Sequence, residues 1–141
     1  MTQALRSIVV WGMFAGLFLL PAGVFKAFDL EVIHNASSSL KGSVFLIQKR
    51  PVTSLQKGDL VVFKHAVFKD KLLLKRVSHL SGEGYQSENT LLNEEAPNSQ
   101  SVVPEDHVAV IGDHLRSFDS RYKRFGFIRE ASIIGKAWKI W

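Results

Sequence analysis

A single lysine stands in an apolar run where its amine would lose contact with water. Lys75 lies within residues 72–77, LLLKRV, a short segment typical of a β-strand. Alternate strand residues point the same way, so Lys75 shares a face with Leu73 and Val77. Burial disfavours the ammonium form and lowers the pKa of a lysine, which suits it to act as a general base. The alternative is an edge-strand lysine that extends its amine to water.

Three consecutive serines supply candidate nucleophiles: Ser37, Ser38 and Ser39. A serine hydroxyl is a poor nucleophile until an adjacent base removes its proton. The cluster follows Asn35 and precedes a predicted strand, where a polar turn is its ordinary role. Because it comes soon after an apolar N-terminal run, it is also well placed for chemistry on membrane-tethered substrates.

Other catalytic and metal chemistries have little support in the sequence. Cysteine is absent, and no pair of histidines has HExxH spacing, so we expect neither a metal nor a cofactor. There is no GxSxG motif and no glycine-rich phosphate loop. A Ser-His-Asp triad stays open, because its members need not be close in sequence.

The N-terminal apolar run predicts a membrane anchor. Residues 7–25, SIVVWGMFAGLFLLPAGVF, carry no charge, and about 20 such residues cross a bilayer core. A cleaved secretory signal is the alternative, although its apolar region is typically about 7–15 residues long. Arg6 favours a cytoplasmic N-terminus. We therefore predict a tip and anchor over residues 1–26, and one domain over residues 27–141 on the outer face of the membrane.

The remaining chain predicts an all-β domain. Short apolar runs separated by turn residues occupy residues 30–33, 44–48, 60–64, 72–77 and 108–111. They favour a small antiparallel β barrel or sandwich. Residues 87–104, rich in Asn, Glu, Ser and Pro, predict an extended loop or surface hairpin.

The net charge of +5 is spread along the 141-residue chain rather than concentrated in one motif. Attraction to anionic lipid headgroups explains such a balance in a domain held at a membrane surface. Nucleic-acid binding would be expected to bring a recognisable motif or an aromatic stacking pattern, and neither is found. Membrane lipids are therefore the expected partners, and nucleic acid is not.

Several segments together resemble bacterial signal peptidase I (peptidase S26), in particular its short conjugative-transfer branch. The similar segments follow the anchor in the order of the family: KGDLVVF at residues 57–63, LKRVSHLSGE at 74–83, VPEDH at 103–107 with VIGD at 110–113, SFDSRY at 117–122, and GFI at 126–128 with IGKA at 134–137. The resemblance extends over nearly the whole chain. It implies an all-β peptidase domain behind one transmembrane helix.

The resemblance also implies a role for individual residues. Ser39 corresponds to the nucleophile and Lys75 to its general base, while Ser37 matches a hydroxyl that helps to hold the oxyanion. Ser117 matches the serine that orients the lysine. Asp119 and Arg121 match a supporting ion pair, although by themselves they could be an ordinary surface pair. Gly112 and Asp113 are expected to shape a turn rather than to contact substrate.

The segment around the nucleophile departs from the family pattern. Leu40, Lys41 and Gly42 follow the serine where the family has an apolar residue and a proline. Counting back from Gly42 selects Ser38 as the nucleophile, whereas the N-x-S-x-S pattern from Asn35 selects Ser39. GDHL at residues 112–115 and a two-residue insertion at 123–124 also depart from the family pattern.

The implied function is the removal of signal peptides from exported precursors at the outer face of the bacterial cytoplasmic membrane, the periplasmic side. The conjugative-transfer resemblance adds a pilin precursor or another transfer component as an expected substrate. An amine instead of water could resolve the acyl-enzyme and cyclise the product. The alternative from another class is a catalytically silent, membrane-anchored scaffold subunit of a secretion or conjugation apparatus.

Overall fold

The structure is a computed structural model that describes residues 22–35, 39–42, 44–69, 71–87 and 101–141. Most of the predicted anchor, residues 7–25, lies outside these residues. Its last part belongs to a helical segment over residues 22–27. Within the described ranges no helix is both long and apolar enough to cross a bilayer.

Seven β-strands and two short 3-10 helices make up the described domain. The strands are β1 (Leu30–His34), β2 (Val44–Gln48), β3 (Leu60–Lys64), β4 (Leu72–His79), β5 (His107–Ile111), β6 (Ile128–Arg129) and β7 (Ile133–Lys139). The 3-10 helices span Ala66–Phe68 and Glu130–Ser132. All five strands predicted from the apolar runs are confirmed, with β1, β4 and β5 one or two residues longer than predicted.

The strands form one antiparallel sheet in the order β1-β2-β7-β3-β4-β5-β6. The prediction of an all-β antiparallel domain is thus confirmed. Lys75 is only 4% exposed, so the alternative in which a lysine on the strand edge extends its amine to water is wrong. The C-terminal strand β7 enters the middle of the sheet, between β2 and β3.

Strand β3 is buried on both faces and separates two apolar clusters. Val61 and Phe63 belong to a larger cluster that includes Val77, and Leu60 and Val62 belong to a smaller cluster on the other face. This explains why β3 is a continuous apolar run rather than an alternating one. Lys75 is the cross-strand partner of Val61, which places its side chain on the face of the larger cluster.

Two unpaired strand edges border a groove. β4 pairs with β3 from Leu72 onward, but its pairing with β5 begins only at Arg76, so no described strand covers the second edge of residues 72–75. β1 ends the sheet, and among the described strands it pairs only with β2. Although β1 and β4 are far apart in the strand order, both line this groove, so the sheet curls round it.

The predicted loop or hairpin over residues 87–104 is described only at its ends. Gly84 forms an antiparallel bridge with Val102, and the Tyr85 amide donates to the Ser101 carbonyl at 2.8 Å. The two ends therefore pair as in the base of a hairpin. Residues 88–100 lie outside the described residues.

Candidate active site

Lys75 is a buried lysine whose amine is held by a hydroxyl. The residue is 4% exposed, and its Nζ donates to Ser117 Oγ at 2.5 Å. Ser117 is buried to the same extent. The fold thus brings together the amine of Lys75 on β4 and the hydroxyl of Ser117, which lies in a loop 42 residues later in the chain.

The surroundings of Lys75 favour its neutral form. Loss of solvation is the largest influence and lowers the pKa of Lys75 below its ordinary value. The negative charge of Asp119 opposes this effect, and the positive charge of Arg121 adds to it. A neutral amine has a lone pair that can accept a proton, which is the property a general base requires.

Ser39 and Lys75 line the same groove, a space of about 600 Å³. Ser39 opens a turn over residues 39–42 that is fixed from two sides. Its carbonyl accepts the Asp113 amide at 2.6 Å, and Asn35 Nδ2 donates to the Gly42 carbonyl at 3.3 Å. The groove is open to a ligand, and its wall carries a serine and a desolvated amine.

Gly112 lies where the turn over residues 39–42 meets the loop that carries Ser117. A Cβ atom at Gly112 would lie 2.2 Å from Ser117 Oγ and 2.7 Å from the Ser39 carbonyl oxygen. Real Cβ contacts are not so short, so any side chain here would push the two serines apart. Glycine therefore allows both the Ser39 backbone and Ser117 to pack closely against residue 112.

Asp119 and Arg121 form an ion pair beneath this loop. Asp119 is fully buried, and its Oδ2 accepts Arg121 Nη2 at 2.7 Å and the Gly112 amide at 2.8 Å. Arg121 Nη2 also donates to the His114 carbonyl at 3.1 Å. The alternative of an ordinary surface pair is therefore wrong, because these bonds fix the backbone on which Ser117 is carried.

Asp113 links the serine turn to the lysine strand. Its Oδ2 accepts the Lys41 amide at 3.0 Å, and its Oδ1 pairs with Arg76 Nε at 3.2 Å. Burial opposes ionisation of Asp113, but the bonds from Lys41 and Arg76 outweigh it and keep its pKa below the ordinary value. Arg76 is the neighbour of Lys75 in β4, so Asp113 fixes the turn of Ser39 relative to the strand of Lys75.

The structure brings together five of the sequence-predicted site residues: Ser39, Lys75, Ser117, Asp119 and Arg121. Ser37, the predicted oxyanion residue, and Ser38, the alternative nucleophile, lie outside the described residues. The sequence did not indicate the Asp113–Arg76 pair, and their opposite charges were the only available signal. In the described part of the chain no cluster of His, Asp and Glu could hold a metal ion.

Comparison with known proteins identifies the family. The family model for signal peptidase, peptidase S26, matches residues 1–93 and 83–141, which together span the chain. The chain belongs to this family, and so to the signal peptidases. The predicted resemblance to signal peptidase I is thereby confirmed at the level of the family.

One similar solved structure is the crystal structure of a signal peptidase I from Enterococcus faecalis V583. It is 26% identical over 60% of this chain and 97% of the bacterial chain, with a TM-score of 0.45. A comparison with curated proteins gave no match.

Proposed function

We propose that the chain is a membrane-anchored serine endopeptidase that removes signal peptides from exported precursors with a Ser39/Lys75 dyad. The observation that carries this proposal is the buried amine of Lys75, which is held by Ser117 and faces the same groove as Ser39. A buried lysine without an acidic partner costs stability, and catalysis is a reason to retain one. Family membership supports the same chemistry.

The proposed reaction begins with proton transfer from Ser39 Oγ to the neutral amine of Lys75. Oγ attacks the scissile carbonyl, and the Ser39 amide and the Ser37 hydroxyl stabilise the oxyanion. Lys75 then delivers its proton to the leaving amine as the C–N bond breaks. Water, activated by the same lysine, hydrolyses the ester. An amine in place of water would give a cyclised or transferred peptide.

The substrate is proposed to bind as an extended strand. Residues 72–75 of β4 and the free edge of β1 offer backbone groups on two sides of the groove. Addition of a strand to such an edge supplies main-chain hydrogen bonds and leaves specificity to shallow side-chain pockets. The proposed substrates are exported precursors cut after small residues, including a pilin precursor or another conjugative-transfer component.

The predicted anchor at residues 7–25 would hold the domain at the outer face of the bacterial cytoplasmic membrane. Its apolar length and its charge-free composition support this part of the proposal. An active site that is tethered to the bilayer would meet precursors whose signal segments are still in the membrane.

Cleavage of exported precursors in proteoliposomes tests the proposal. Wild type is compared with Ser39→Ala, Ser38→Ala and Lys75→Ala, and circular dichroism checks that each variant is folded. We expect Ser39→Ala and Lys75→Ala to be inactive and Ser38→Ala to be active, with mass spectrometry separating hydrolysed from cyclised products. Full activity of Lys75→Ala would exclude the dyad. A wild type without activity on its genuine precursor would favour the silent scaffold subunit.

A further inference from the structure

The ion pairs among the described residues do not include Lys71, which lines the groove. Six described carboxylates each pair with a cation: Glu31 with Lys49, Asp29 with Arg50, Glu83 with Lys57, Asp113 with Arg76, Asp119 with Arg121, and Asp59 with Lys136. Lys71 forms no ion pair with any described residue. Within the described part of the chain, no carboxylate therefore neutralises its ammonium.

Lys71 is an exposed residue that lines the groove. The neighbouring wall is mostly apolar, with Leu72, Leu73 and Phe68 among its residues, and no described carboxylate lines it. Burial lowers the pKa of Lys75 and so favours its neutral amine. An acidic side chain in the groove would thus meet an opposite charge, whereas a basic side chain would meet a like charge.

The position of Lys71 relative to Lys75 sets a distance along the substrate. Lys71 directly precedes β4 and lies four residues before Lys75 in the chain. Four residues of strand span about 13 Å, at roughly 3.3 Å per residue. A peptide that pairs with this edge has the same rise per residue as β4. If its scissile bond lies at Lys75, its residue opposite Lys71 lies about four residues from that bond.

We infer that Lys71 selects precursors that carry an aspartate or glutamate about four residues from the scissile bond. This inference rests on the proposed peptidase function and adds a charge preference to its substrate class. The pair would lie at the partly exposed rim, where ion pairs contribute modestly, so the expected preference is about two- to fivefold in kcat/KM. Salt would weaken the preference, since it screens exposed charges.

The test uses the full-length protein in proteoliposomes. Its substrates are peptides that span the cleavage site of a precursor that this protein cuts. Asp, Asn or Lys is placed at each position from three to five residues away, on both sides of the scissile bond. The kcat/KM values are measured for wild type, Lys71→Glu and a matched control, Lys64→Glu. Lys64 is an exposed lysine at the end of β3, is paired in register with Leu72, and does not line the groove.

The expected order for wild type is Asp above Asn above Lys at one of these positions, with Lys71→Glu reversing the order and Lys64→Glu retaining it. The preference should shrink as ionic strength rises from about 0.01 to 1 M. Equal cleavage of all peptides, or an unchanged order in Lys71→Glu, would overturn the inference and leave the peptidase function standing. Failure of wild type to cut any precursor would overturn both.

Discussion

Ser117 Oγ lies 2.5 Å from the amine of Lys75, and both residues are only 4% exposed. The hydrogen bond fixes a long and otherwise flexible side chain in one direction. Ordering a lysine side chain costs roughly 1.5–2 kcal/mol of rotamer entropy. Because folding has already ordered Lys75, this cost does not add to the barrier of a reaction at the site. In the proposed mechanism, the hydroxyl of Ser117 therefore positions the base and does not itself react.

Removal of that hydroxyl should lower the rate rather than substrate binding. In Ser117→Ala we expect kcat to fall by about 10- to 100-fold with little change in KM, since the amine loses its orientation. Ser117→Thr keeps the hydroxyl and should recover part of the activity. Steady-state kinetics on a cleavable precursor measure both effects. An unchanged kcat in a folded Ser117→Ala would show that the hydrogen bond has no part in the reaction.

The activity should depend on pH through Lys75. Burial lowers the pKa of this lysine, so the neutral amine is present above the lowered pKa and disappears as the pH falls through it. We therefore expect kcat/KM to decrease on the acid side and to level off at higher pH. The measurement is kcat/KM as a function of pH between about 5 and 10, a range that lies below the ordinary lysine pKa of about 10.4.

His34 requires a control, because it also lines the groove and histidines titrate between about pH 5 and 8. The acid limb should persist in His34→Asn. If the limb vanished in this variant, the titrating group would be the histidine and not Lys75.

The bond network of Asp113 should matter for both activity and stability. Asp113→Ala removes the carboxylate that holds the Lys41 amide and the Arg76 side chain. We expect a loss of about 1–3 kcal/mol in the free energy of unfolding and a fall in kcat/KM of at least tenfold, because the Ser39 turn is no longer fixed to β4. Urea unfolding and cleavage kinetics give the two quantities.

A matched control separates positioning from general destabilisation. Asp59 forms a comparable ion pair with Lys136 and is not part of the groove wall. Asp59→Ala should lower the unfolding free energy without a tenfold loss of kcat/KM in the folded protein. Equal losses of activity in the two variants would contradict a specific role for Asp113.

Local sequence patterns were sufficient for most of the sheet. The apolar runs of β2 and β3 predicted their strands with the observed bounds, because short β-branched and aromatic segments have few other stable structures. β6 has only two residues, too few for any periodicity, so no apolar run predicted it. The central position of β7 depends on pairing between distant segments.

The site was less accessible from sequence because its geometry is long-range. Whether Lys75 was buried or extended to water depended on its packing against the distant loop that carries Ser117, which no local pattern specifies. The contacts of Asp113 join residues 37 and 72 positions apart in the chain. The burial of Asp119 likewise arises from the packing of the loop and not from its neighbours in sequence.

A side chain at Gly112 should disrupt the site with little effect elsewhere. A methyl group there would overlap Ser117 Oγ at 2.2 Å and the Ser39 carbonyl oxygen at 2.7 Å, so Gly112→Ala must displace one or both residues. We expect a loss of about 1–3 kcal/mol in the free energy of unfolding, as in other overpacked sites. The activity should fall by at least 100-fold, since small displacements of a catalytic group have effects of this size.

Gly84→Ala is the matched control for this substitution, because a Cβ at Gly84 would meet no atom within 4 Å. It should retain wild-type cleavage, and thermal unfolding should show at most a small change. If Gly112→Ala cleaved precursors as fast as Gly84→Ala, the close packing of Ser39 against Ser117 would be irrelevant to catalysis. Because both substitutions add one methyl group to a glycine, a difference between them would report the space around Gly112 alone.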